Sequence, residues 1–231
     1  MAVNYISFDQ YTLTVEHVMT QFSESGSEFY EDIVDELLED IGNRIHPFGY
    51  WVEVPVTEAA DNAIDLGNDR FYSSYLKKRL QGVDRVFVFV TSIGEELWKQ
   101  RVNSSDPLEQ MLFDAIMKTC LNDAFSRTAT DIVANIDNDA VLYMDNPGNL
   151  AGWDLGDLRK LMDLLIEEAG GSLPGLSITD DDLIETSYSL SGIIYGKERR
   201  RVYKNLPPVN ELDPQELIQM LYESSGHPDD Y

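Results

Sequence analysis

The stretch from Tyr143 to Gly196 most narrows what this chain can fold into, because it sets an amphipathic helix next to an apolar strand. Leu155, Leu158, Leu161, Met162, Leu165 and Ile166 recur at steps of three and four, which predicts one apolar helix face over about residues 154–169. Asp154 is placed to cap the exposed N–H groups, and Gly170-Gly171 can supply a left-handed exit. The run Tyr188 to Tyr195 reads as a strand. A helix and strand so close in sequence bury their apolar faces together, giving a layer of helix against sheet. Ahead of the helix, Pro147 fixes one dihedral and Gly148 permits positive φ and close backbone approach, as a ligand-cradling turn needs. A plain connecting turn has the same signature.

Val83 to Val90 is nearly continuous in apolar residues and predicts a central strand covered on both faces. Upstream, residues 11–18 alternate Tyr11, Leu13 and Val15 with Thr12, Thr14 and Glu16, the pattern of a half-buried strand. A helix follows, with Phe29, Tyr30, Ile33, Val34, Leu37, Leu38 and Ile41 on one face and an acidic, solvated opposite face. Phe48 to Val56 reads as a strand in which Pro55 marks an edge or the last residues. A polar loop near Asp61 to Asp69 leads to a short helix ending Lys77-Lys78-Arg79, where positive charge suits a helix C-terminus.

Thr91-Ser92-Ile93-Gly94 connects the central strand to a helix at Glu95 to Arg101, a junction that can present backbone donors to an anion. Asp106-Pro107-Leu108-Glu109 starts a long helix that runs to about Ala134 and is expected to bury Leu108, Met111, Leu112 and Ile116. Asp139 to Met144 is a short strand delivering the chain to the turn. Asp180-Asp181-Asp182 lacks EF-hand spacing and reads as a polar turn. Lys197, Arg199, Arg200, Arg201 and Lys204 form the main basic cluster, suited to an anion or to the protein's own acidic body. The expected organisation is one domain over 1–205, with 206–231 a linker and helical tail that folds back, meets a partner or is exchanged in a homo-oligomer.

With 42 acidic and 17 basic side chains the net charge is -25, which opposes nucleic acid and anionic membranes and favours a partner with a basic face. Cys120 is the only cysteine, so no disulfide framework or thiolate cluster is available, which fits a reducing cytoplasm. Nowhere do about 18 apolar residues run together, so no transmembrane helix is expected. His17, His46 and His227 are scattered, and P-loop, GxGxxG and nucleophile-elbow patterns are missing. No metal centre or self-contained catalyst is legible.

Three segments, in order, resemble the activation (reactivation) domain of cobalamin-dependent methionine synthase and its stand-alone relatives. Leu76 to Gly94 is similar to that family's helix, central strand and Thr-x-x-Gly turn. Asn146-Pro147-Gly148 followed by Trp153-Asp154-Leu155 resembles its Pro-Gly loop and the helix behind it. Leu176 to Thr179, then Tyr188 to Ile194, resembles its closing Ser-x-Ser-Gly strand. The resemblance implies an α+β fold with a curved, mainly antiparallel sheet flanked by helices. It also implies S-adenosylmethionine binding, and docking on a cobalamin-carrying, methionine synthase-like protein for reductive reactivation in corrinoid or methionine metabolism.

By this resemblance the cofactor-binding residues are Asn146, Pro147, Gly148, Asn149, Ser189, Ser191 and Tyr195. The module is then an accessory that binds and orients, the chemistry belonging to the cofactors. The family's Arg three residues before the Pro, its Tyr after the Gly and its Tyr two residues beyond Ser-Gly are here Met144, Asn149 and Ile194. Methionine cannot replace a charge-assisted guanidinium contact. Those departures support an alternative: a non-enzymatic interaction protein that kept the fold and lost S-adenosylmethionine. On either reading the Pro-Gly turn and the serine-flanked strand should lie side by side.

Overall fold

The computed structural model describes residues 2–8, 11–22, 28–148, 152–179, 184, 188–198 and 207–224. In chain order its elements are β1 (Asn4–Ile6), α1 (Val15–Met19), α2 (Glu28–Ile41), β2 (Phe48–Glu58), β3 (Ala63–Leu66), β4 (Asp69–Tyr72), α3 (Ser74–Arg79), β5 (Arg85–Ser92), α4 (Glu95–Asn103), α5 (Pro107–Val133), β6 (Ala140–Asp145), α6 (Asp157–Glu168), β7 (Ser189–Glu198) and α7 (Pro214–Ser224). The strands form one sheet in the order β4-β3-β2-β5-β7-β6, with β1 also paired to β2. Every pairing is antiparallel, so the fold is α+β with an antiparallel sheet flanked by helices.

Alternation along the strands divides the core between the sheet's two faces. Val86, Val88 and Val90 of β5 join Ile193 and Tyr195 of β7 in a cluster with Leu76 of α3, Trp153, and Leu158, Leu161, Met162 and Leu165 of α6. Phe87 and Phe89 point the other way, meeting Met144, Ile194, Phe125 of α5, and Leu217 and Leu221 of α7. As expected, β5 is central and covered on both sides. A third cluster is helical, built from α1, α2, α4 and the first half of α5.

The structure corrects several expectations. Residues 11–18 are not a strand: Thr14 caps α1 by accepting from the His17 N–H, and Val18 is buried in the helical cluster. The polar loop is a hairpin, β3 and β4 paired from Ala63↔Tyr72 to Leu66↔Asp69. Strand β2 is internal, not an edge. Its Pro55 nitrogen faces the gap between the stretch paired with β1, Gly49–Trp51, and that paired with β3, Val56–Glu58, so no ladder bond is lost. Phe29, Leu108 and Met111 are exposed instead of buried.

Helix α6 begins three residues later than expected, and Leu155 stands outside it, half exposed. Asp154 accepts from the Gly156 N–H at 2.7 Å, ordering the turn ahead of the helix. The Gly170-Gly171 stop is as expected, with the Gly171 N–H reaching back to the Ile166 carbonyl. Helix α7 folds back onto α5 and β6, started by Asp213, whose carboxylate accepts from the Gln215 and Glu216 N–H groups.

Candidate functional site at the turn after β6

Strand β6 pairs with β7 from Ala140↔Glu198 to Asp145↔Ile193 and then runs into Asn146-Pro147-Gly148. The Gly148 N–H donates to the Trp153 carbonyl at 3.0 Å, closing the turn. Gly148 has φ of 79°, so the position favours glycine for its conformation, and a Cβ there would also crowd Leu155 Cδ1 at 2.9 Å. Asn146 is buried and its Nδ2 donates to the Ser191 carbonyl at 2.5 Å. Gly192 permits that bridge, since a Cβ on it would sit 2.7 Å from Asn146 Nδ2 and against the Asp145 carbonyl oxygen. The turn and the Ser-x-Ser-Gly strand are thus side by side, as the sequence suggested.

The other resembling motif arrives at the same strand. Ser92 pairs with Ser189 in the β5–β7 register, and the Ser189 hydroxyl donates to Ser92 Oγ at 3.0 Å. Thr91 Oγ1 donates to the Leu190 carbonyl, and the Gly94 N–H donates to Ser92 Oγ. Ser92, Ser189 and Ser191 therefore share one face where the ends of β5 and β7 meet, and the Thr91 side chain lies on the other. Ser189 and Ser191 are half-buried and Gly148 is exposed, whereas Pro147 is buried.

Tyr195 occupies a different place. It is fully buried, and its hydroxyl donates to Asp145 Oδ2 at 2.7 Å. The same carboxylate oxygen pairs with Arg79 Nε at 3.1 Å, both side chains being buried. Arg79 lies 4.9 Å from the Tyr143 ring centroid, Tyr143 stacks on Tyr195 at 5.6 Å, and Arg79 Nη2 donates to the Ser224 carbonyl. Burial alone would lower the guanidinium's pKa. The attraction of Tyr195 and Asp145 outweighs it and raises the pKa, so Arg79 is charged. The dipole explanation for a Lys77-Lys78-Arg79 helix end does not extend to Arg79, which turns inward and ties α3, β6, β7 and α7 together. Tyr195 is a support beneath the turn and not part of its surface.

Of the three positions that depart from the family pattern, Met144 and Ile194 are described, and both are buried in the cluster beneath α7. Tyr195 does not stand in for the missing tyrosine, because neighbouring residues of a strand point to opposite faces. Asn149, Asp180 to Asp182, Arg199, Arg200, Arg201 and Lys204 lie outside the described residues. Lys197 is described, and its Nζ stands 5.5 Å from the Tyr143 ring centroid. Among the described residues no cluster of His, Cys, Asp or Glu is arranged to hold a metal ion. No helix among them is long and apolar enough to cross a membrane.

No protein-family model matches the chain and no curated protein matches it in sequence. Among solved structures, it is similar to the MetH reactivation domain bound to AdoHcy, at 10% sequence identity. The similarity covers 99% of this chain and 91% of that one, with a TM-score of 0.59. At that identity the likeness establishes the fold.

Proposed function

We propose that this chain is an accessory module of the methionine synthase reactivation type, which binds an S-adenosyl ligand beside the Pro147-Gly148 turn and docks on a cobalamin-carrying protein. The likeness to a reactivation domain solved with AdoHcy, over nearly the whole of both chains, carries this reading. Asn146, Ser189, Ser191 and the backbone of Gly148 are the groups that would hold the ligand, along one strand junction. When bound, S-adenosylmethionine supplies an activated methyl group. The chain's own contribution is to bind and orient, consistent with a sequence showing no acid, base or nucleophile constellation.

A second reading is favoured by one specific observation. The positions where the family pattern has an arginine and a tyrosine hold Met144 and Ile194, apolar and closed over by α7. A carboxylate anchor does not fit there. On that reading the chain is an interaction protein that kept the fold and lost the ligand.

Isothermal titration calorimetry with S-adenosylmethionine and with AdoHcy distinguishes the two. Saturable heat that Gly148→Ala and Ser191→Ala weaken supports the first reading. Absence of heat up to millimolar ligand leaves the second. Retention of a corrinoid protein on the immobilised chain at low salt tests the docking half separately.

A further inference from the structure

An open groove lies away from the turn, between α2 and the first turn of α5. Ile33, Glu36, Leu37, Asp106, Leu108 and Glu109 line it, and its volume is about 480 Å³. Phe29 extends the same stripe of α2, since Phe29, Ile33 and Leu37 are spaced four apart. Phe29 is 81% exposed, an unusual position for a phenylalanine on a helix whose other apolar residues are buried or half-buried. On the far wall Leu108 is 37% exposed, and Met111, three residues further along α5, is 39% exposed. The apolar floor is therefore accessible and belongs to the helical cluster, independent of the turn after β6.

Charge identifies what would cover this floor. At about 100° per residue, Asp32, Glu36 and Asp40 flank the Phe29–Ile33 stripe on its solvent side. Asp106 and Glu109 stand on the opposite wall. Asp32, Asp35, Glu36 and Glu39 make no ion pair among the described residues. A second copy would bring the same acidic rim and a net charge of -25 against itself, which like-charge repulsion opposes.

We propose that the α2–α5 groove is a docking site for an amphipathic helix of a partner protein, with an apolar stripe edged by Lys and Arg. The stripe seats on Phe29, Ile33, Leu37 and Leu108, and the cations meet Asp32, Glu36, Asp106 and Glu109. This inference does not depend on the S-adenosyl ligand.

The test uses the intact protein and two fluorescent peptides of identical Leu and Lys composition, one patterned as an amphipathic helix and one scrambled. The patterned peptide is expected to bind at least about tenfold more tightly by anisotropy. Phe29→Ala, at a site too exposed to alter folding, should weaken it about tenfold, as should Leu108→Ala. Glu36→Lys should weaken binding and flatten its salt dependence. Hydrogen exchange should be slowed in α2 and the start of α5. Equal binding of both peptides, indifference to Phe29→Ala, or protection elsewhere would overturn the assignment. So would a dimer in sedimentation that Phe29→Ala disperses, since the occupant would then be a second copy.

Discussion

Met144 and Ile194 lie directly opposite each other in the β6–β7 ladder, on the face covered by α7. Two of the three departures from the family's polar pattern are thus one cross-strand contact. The Met144 N–H donates to Ser224 Oγ at 3.1 Å, so α7 also satisfies the outer edge of β6 at that residue. An arginine and tyrosine there would need an open face. An apolar pair instead provides a seat for Leu217 and Leu221, which explains why the tail helix folds back.

Met144→Arg should therefore destabilise the protein. Met144 is 1% exposed, and a guanidinium placed there has no acidic partner within the apolar cluster. A loss of about 3 kcal/mol in urea unfolding is expected, the cost typical of an unpaired buried charge. Limited proteolysis should release α7 first. A loss below about 1 kcal/mol would mean that α7 does not seal this face.

Removing either side of the Arg79–Asp145 pair should cost about 3–5 kcal/mol, because each leaves a buried charge without its partner. Arg79→Met with Asp145→Asn together should cost clearly less than the sum of the single changes. A double-mutant cycle in urea gives the coupling, expected at about 1–3 kcal/mol. Additive losses would show that the two groups are held by other contacts.

Trp153 presents the opposite case. It is 1% exposed and packs edge-on against Phe71, yet its indole N–H has no hydrogen-bond partner among the described residues. Trp153→Phe removes that buried donor while keeping a ring, so its stability should stay within about 1 kcal/mol of the parent. Trp153→Ala should lose about 3–5 kcal/mol. A penalty for phenylalanine as large as that for alanine, measured by chemical denaturation, would show that the indole N–H matters.

The elements legible in the sequence are those whose signal is local. The central strand β5 announces itself by an unbroken apolar run, α5 by its Asp106-Pro107 start, and the end of α6 by a double glycine. The β3–β4 hairpin has a Gly67-Asn68 turn between Ala63–Leu66 and Asp69–Tyr72, but acidic residues on both strands make the segment read as a polar loop. Helix α1 reads as a strand in the sequence because five residues are too few for a helical period to override a chance alternation. At the candidate site, turn and strand could be placed together because motif order survives there. The inward turn of Arg79 could not be foreseen, since its partner Asp145 is 66 residues away and no local pattern records that contact.

Alkaline pH should unfold the protein through groups that the fold keeps protonated. Burial is the main cause in each case, and it pushes the Cys120 thiol up from 9.0 to about 12. Tyr50 rises from 10.0 to about 12 with Tyr5 nearby, and Tyr188, hydrogen-bonded to Asp114, rises likewise. Tyr11, packed by Cys120 and donating to Asp123, is raised further. In the unfolded chain these groups lose protons from about pH 9 to 10, whereas in the native state they hold them to about pH 12. Across that window the unfolded state binds fewer protons, so stability is full below about pH 9 and falls as pH rises above it. Urea midpoints should decline steadily above that pH, and the full tyrosinate absorbance should be reached only together with loss of helical circular dichroism. Cys120 should resist a thiol reagent until the same transition. A flat or rising midpoint above pH 9, or tyrosinate fully formed while the helices persist, would contradict the burial of these side chains.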